Sequence, residues 1–175
     1  MGTHKLDLVK GSRNDIVDYV GILDSSATLA TGLITGRVCS IDSTSGLVKT
    51  GLLTATSQPF WCWAGLDVNS SPDVERDPGM PYSGQARVTL WSYKVAGEMS
   101  TTEFVSGTYH PGAPLSAYQH APTTASNAGL MLVANGTTDV VIGYVSPRGV
   151  QTSADGYSTL YFYPDFVPGS TIPNA

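Results

Sequence analysis

Residues 31–53 read TGLITGRVCSIDSTSGLVKTGLL. Three charged side chains, Arg37, Asp42 and Lys49, stand among branched apolar residues, threonines and the glycines Gly32, Gly36, Gly46 and Gly51. Branched aliphatic residues and threonine favour extended backbone over helix. Residues 33–42 are therefore predicted as one strand, 43–46 (STSG) as a turn, and 47–53 as the returning strand of a hairpin. Gly46 stands where a short hairpin loop needs a left-handed backbone, which glycine adopts without steric cost. Gly32, Gly36 and Gly51 weaken a flat strand, because each gives up chain entropy and packs no side chain. Their density predicts a bent sheet, with a small, tightly curved barrel favoured.

The same signals extend in both directions. Residues 1–15 mix charge, glycine and isolated apolar residues, and read as an N-terminal arm; 16–23 (IVDYVGIL) is a short strand. In 60–68 (FWCWAGLDV), Phe60, Cys62, Ala64, Leu66 and Val68 share one face, with Trp61, Trp63 and Asp67 on the other. Residues 69–84 (NSSPDVERDPGMPYSG) form the longest irregular segment. Residues 85–95 are a strand with Val88 and Leu90 opposite Thr89, Trp91 and Tyr93; Gly97 turns it, and 99–105 is predicted to pair back onto it. Residues 109–115 (YHPGAPL) are a rigid turn followed by a polar loop. Strands at 129–134 and 138–146 flank Asn135-Gly136, a strong hairpin signal, and Pro147 is predicted to stop the second. Val140, Val141 and Ile142 imply a strand covered on both faces. A turn at Asp155-Gly156 precedes the last strand, 158–163 (STLYFY), where Leu160 and Phe162 alternate with Tyr161 and Tyr163.

No segment supports a helix of three turns. The expected fold is all-β, a small curved barrel or sandwich of about eight to ten short antiparallel strands. It comprises an arm at 1–15, a single domain at 16–163 with an irregular loop at 69–84, and an extended tail at 164–175.

Charged residues make up 13% of the chain and its net charge is −5, against roughly a quarter charged in ordinary globular proteins. The basic residues are scattered, with no run of three, so neither nucleic acid nor an anionic bilayer is an expected partner. No window reaches membrane-spanning length, and residues 1–20 lack an apolar core of signal length. Folding in a reducing cytoplasm is expected, with Cys39 and Cys62 as buried thiols or a single bridge.

The three histidines, His4, His110 and His120, lack metal-ligand spacing, and Asp73, Glu75 and Asp77 lie on the irregular loop. Neither cysteine has a histidine neighbour in sequence, and no nucleophile-elbow or phosphate-loop pattern occurs. The expectation is a protein that is not an enzyme and holds no cofactor or metal. Six aromatic residues, Trp61, Trp63, Trp91, Tyr93, Tyr161 and Tyr163, fall on alternate faces of three strands. They suit either a second core wall or subunit contact, which is favoured, or a sugar-stacking platform on a carbohydrate-binding module of a virion fibre or spike.

Residues 28–53 also carry a resemblance. Leu29, Gly32, Gly36-Arg37-Val38 and Ser45-Gly46 resemble the opening motif of the capsid decoration, or head cement, proteins of tailed bacteriophages. Tyr109 to Leu115 resembles their P-G-x-P-L segment; Gly129-Leu130 and Val141 to Val145 resemble their closing strands. The similarity spans about residues 20–146 in short, tolerant motifs, and this chain departs from shorter members at 69–84 and after Val150. It implies no catalytic residues, a place on the outer surface of the virion capsid, and major capsid protein as partner. It also implies a homo-oligomer, with a trimer favoured over a dimer, that grips through extended ends. The implied contact residues are Leu6, Leu8, Val9, Lys10 and Arg13 at one end, and Asp165, Phe166, Val167 and Ile172 at the other.

Overall fold

The turn at the centre of the quoted stretch forms as its residues dictate. Asp42 accepts through Oδ1 from the Thr44 amide (2.8 Å), and the Gly46 amide donates to the Asp42 carbonyl at 2.7 Å. Gly46 sits at φ +70°, the left-handed region that a side chain disfavours. The Asp42 amide donates to the Leu47 carbonyl at 3.0 Å, closing the hairpin.

The structure, a computed structural model, describes residues 6–11, 16–22, 24, 35–53, 61–64, 87–93, 97–119, 127–135 and 139–165. At 16–20, 22, 61–64, 87–89 and 91–93 it describes the backbone. These residues form eleven strands: β1 (Leu6–Lys10), β2 (Ile16–Ile22), β3 (Val38–Ile41), β4 (Val48–Thr50), β5 (Trp61–Ala64), β6 (Arg87–Tyr93), β7 (Glu98–Thr101), β8 (Pro114–Ala117), β9 (Met131–Val133), β10 (Gly143–Thr152) and β11 (Ser158–Pro164). One sheet runs β1-β7-β11-β10-β8-β9 and the other β2-β6-β5-β3-β4, with every strand ladder antiparallel. Among the described residues there is no helix, hence none long and apolar enough to cross a membrane.

The all-β expectation holds, in its sandwich form. Among the described residues no closed barrel is present: the far edge of the larger sheet is drawn back toward the chain after β7 by one parallel bridge, Phe104 to Met131. Of the glycines credited with barrel curvature, Gly36 and Gly51 serve a junction instead, and Gly32 lies outside the described residues. Gly36 and Gly51 have φ of +92° and +89°. Where the sheets meet, the Val38 amide donates to the Gly129 carbonyl (2.9 Å), and the Gly51 amide donates to the Val38 carbonyl (2.9 Å). A Cβ on Gly129 would collide with the Val38 carbonyl oxygen, so backbones approach there as only glycine permits.

The core gathers Leu6, Met99, Leu115, Met131, Ile142, Val145, Leu160 and Phe162 from the larger sheet and the segment entering β10, with Val38 and Leu52 from the β3–β4 hairpin. Leu6 is 1% exposed. Residues 6–10 were expected within an arm, yet β1 pairs with β7, matching Leu6 to Thr101 and Leu8 to Met99. Burying one such leucine stabilises by roughly 2 kcal/mol, more than an arm left in solvent could gain.

Three other expectations about pairing fail. Beyond Gly97 the chain changes sheets: β7 does not return onto β6 but lies between β1 and β11, buried along its whole length. Asn135-Gly136 does not join a hairpin, since β8 separates β9 from β10; the Ala134 amide donates to the Pro114 carbonyl and Ile142 to Leu115 (2.9 Å each). Pro147 does not end its strand, for β10 continues to Thr152. By contrast Asp155-Gly156 does turn β10 into β11, with Gly156 at φ +83°, and Val140, Val141 and Ile142 are buried as expected, though they lie ahead of β10 rather than within a strand.

Candidate functional site

The passage of β10 through Pro147 builds the most distinctive surface of the molecule. Val145 pairs with Phe162 and the next register partner is Val150 with Leu160. Over that interval β10 carries three more residues than β11, a wide bulge. Pro147 has no amide hydrogen to give a ladder, and Gly149 takes a left-handed φ of +60°. The Arg148 amide is satisfied locally by Ser146 Oγ at 3.1 Å. Bulges re-aim side chains, and this one turns Arg148 back across the sheet.

Arg148 is held from two sides. Its guanidinium lies over the Tyr161 ring, 5.4 Å from the centroid, within the range of a cation–π contact. Its Nε is 3.4 Å from Glu98 Oε2, a carboxylate on β7 whose side chain is 1% exposed, while the arginine side chain remains 42% exposed. A buried carboxylate needs a nearby cation to offset its lost hydration, and at Glu98 the Arg148 guanidinium supplies one through a 3.4 Å ion pair without a hydrogen bond to Oε2.

Tyrosines surround it. Leu160 and Phe162 of β11 are fully buried, so Tyr161 and Tyr163 project from the opposite face, as the alternation in STLYFY predicts. Tyr144 is the register partner of Tyr163 and is 40% exposed. The two strands come close here: a Cβ on Gly143 would sit 2.6 Å from the Tyr163 carbonyl oxygen. The result is an outer face of Tyr144, Tyr161, Tyr163 and Arg148. Tyrosine and arginine dominate the energetic centres of protein interfaces, because they bury large area with few rotors and retain polar tips. This arrangement can bind; it does not pair a nucleophile with a base.

Among the remaining expected site residues, Leu6 is spent in the core and Leu8 packs against it. Val9 is half-buried, Lys10 is exposed opposite Glu98 in register, and Asp165 follows β11, its amide donating to the Ile142 carbonyl at 2.9 Å. Leu6 is thus a packing residue, and Leu8 remains half-buried. Arg13, Phe166, Val167 and Ile172 lie outside the described residues, as do the loop at 69–84 with Asp73, Glu75 and Asp77, and His4 and His120. Trp61 and Trp63 fall on β5, Trp91 and Tyr93 on β6, with Trp63 the register partner of Trp91; their side chains lie outside the description. Cys39 is buried and is the register partner of Cys62. His110 is exposed in the turn before β8, and among the described residues no group of three or more histidine, cysteine or acidic side chains is placed to hold a metal.

Sequence reasoning missed Tyr144, Arg148 and Glu98. The available signal was Ser146-Pro147-Arg148-Gly149, whose proline and glycine mark a bulge as readily as a strand end. Comparison with protein-family models, with curated proteins and with solved structures finds no match.

Proposed function

We propose that the chain is a structural protein that holds neighbouring protein surfaces, docking through the face formed by Tyr144, Tyr161, Tyr163 and Arg148. One observation carries this reading: Arg148 lies in contact with both Tyr161 and Glu98 and is still exposed. A side chain ordered in advance loses less entropy on binding.

The surface we propose for it is the outside of a tailed-phage capsid, with major capsid protein as partner and a homo-oligomer, trimer rather than dimer, as the working unit. This half of the reading rests on the resemblance at residues 28–53 and 109–115. A sandwich resists strain through many antiparallel ladder bonds, and repeated copies on a shell add modest contacts through avidity. The role is to hold rather than to catalyse.

Purified protein mixed with expanded, undecorated phage heads is expected to bind stoichiometrically and saturably, and to raise the temperature at which the heads break. Tyr144→Ala should weaken that binding at least tenfold with an unchanged fold by circular dichroism. Absence of binding, or binding indifferent to Tyr144, defeats the proposal.

A further inference from the structure

A second feature lies at the tip of the β10–β11 hairpin, where a cleft of about 440 Å³ opens between the hairpin and the chain following β7. Small-ligand sites occupy roughly 300–1,000 Å³, so the volume suits one or two small rings. Its polar lining includes the hydroxyl-bearing Thr102, Ser106 and Ser158, and its aromatic lining is Phe104 and Tyr157.

Both aromatic residues are held in place. Phe104 meets Tyr109 edge to face, with centroids 5.5 Å apart and planes at 90°. Tyr109 is fixed in turn by its hydroxyl, which donates to the Val105 carbonyl at 2.7 Å. Tyr157 is 51% exposed yet stands on a tight turn: the Ser153 amide donates to the Tyr157 carbonyl and the Gly156 amide to the Ser153 carbonyl, each at 2.9 Å. Beside it Ser158 Oγ lies 3.1 Å from Thr152 Oγ1.

The lining also specifies charge. Among the described residues, no lysine, arginine or histidine borders the cleft. The single acid among the described lining residues, Glu103, is 4% exposed and directs Oε2 to Arg37 Nε at 2.9 Å. Among these residues neither a phosphate nor a cation finds an uncommitted counter-charge. What remains are hydroxyls able both to donate and to accept, beside an accessible aromatic ring. A sugar presents that complement, with hydroxyls on its rim and an apolar C–H face to set against a tyrosine.

We infer that this cleft binds a neutral carbohydrate, one or two pyranose units, with Tyr157 as the stacking residue and Ser106 and Ser158 as hydroxyl partners. The site is separate from the tyrosine–arginine face and does not rest on the capsid reading.

The test is a titration of the whole ¹⁵N-labelled chain with glucose, galactose, mannose and N-acetylglucosamine, each to roughly 50 mM, well beyond a millimolar Kd. Inorganic phosphate serves as an anionic control. At least one sugar is expected to give saturable amide shifts centred on Ser106, Tyr157 and Ser158. Tyr157→Ala should weaken binding about tenfold, the factor that one lost ring contact supplies, and Tyr144→Ala should leave it unchanged. Tyr157 is exposed and its turn is held by backbone, so the variant keeps its fold. Four outcomes each overturn the inference: no saturable shift with any sugar, shifts confined to β5 and β6, equal affinity in Tyr157→Ala, or saturable phosphate binding at these amides. Head binding by Tyr157→Ala is a separate readout, and its retention distinguishes failure here from failure of the docking proposal.

Discussion

The two ends of the β3–β4 hairpin each contain an ion pair, and they do opposite work. At the outer end Lys49 Nζ meets Asp42 Oδ2 at 2.7 Å, seven residues apart in sequence, with both side chains about one-fifth exposed at 22% and 20%. At the inner end Arg37 Nε meets Glu103 Oε2 at 2.9 Å across sixty-six residues, with side-chain exposures of 8% and 5%. Arg37 also donates to the Ala128 carbonyl at 3.2 Å, and Thr101 Oγ1 donates to the Gly36 carbonyl at 3.1 Å. The outer pair trims a turn that its own residues already specify. The inner pair joins three distant segments at the place where the sheets meet. All three charges in the quoted stretch are thus in use, and their type alone does not tell which use.

That contrast is sharpest under truncation. Glu103→Ala leaves Arg37 buried without its counter-charge and is expected to cost about 3–5 kcal/mol, read as a fall in the urea midpoint with unchanged slope. Arg37→Met combined with Glu103→Leu should recover most of the loss, because the pair is removed together with its desolvation cost. A single truncation costing no more than an ordinary surface change would erase the distinction.

Glycine supplies the next comparison. Gly129 and Gly46 both have left-handed backbone, at φ +77° and +70°, but a Cβ on Gly129 meets the Val38 carbonyl whereas one on Gly46 meets nothing within 4 Å. Gly129→Ala is expected to cost about 3 kcal/mol, combining the conformational strain with displacement of backbone at the junction. Gly46→Ala should cost about 1 kcal/mol, the strain alone. Equal effects in thermal melts would show that the junction yields easily.

Titration separates the two ends by pH. Burial pushes the Tyr109 hydroxyl, near the inner end, up to about 12 from 10.0, with a smaller contribution from Tyr118. The unfolded chain therefore loses this proton first as pH rises. The resulting stability is complete below pH 10 and is lost between about 10 and 12. Tyr109→Phe should flatten that part of the stability profile.

The smallest effect belongs to the outer end. The Lys49 hydrogen bond, aided by the Thr44 amide, lowers the Asp42 carboxyl from 3.8 to about 2. Its contribution is present above pH 4 and disappears as pH falls toward 2, when the folded protein must also take up the proton. Asp42→Asn should remove this acid limb and shift Tm at neutral pH by only about a degree, as befits a solvent-screened pair.

The candidate face divides in the same way between the near and the distant. Tyr161 and Tyr163 were legible, because two-residue alternation with Leu160 and Phe162 sets their side of the sheet. Arg148 and Glu98 were not: fifty residues separate them, and they meet only because β7 and β10 flank β11. The pairing of residues 6–10 was hidden for a related reason. Nothing within LDLVK distinguishes an arm from an edge strand until β7 offers it unpaired backbone groups.

By itself the sequence determined the all-β class, the Asp42–Leu47 and Asp155-Gly156 turns, and the side taken by each residue of β11. All of these depend on backbone preferences and contacts within a few residues. Tertiary structure decided the rest: a sandwich rather than a barrel, β7 in the other sheet from β6, β8 between β9 and β10, and Pro147 inside a strand. Strand partnership is settled by burial and hydrogen bonding summed over the whole chain, and a local pattern offers the same face to many partners.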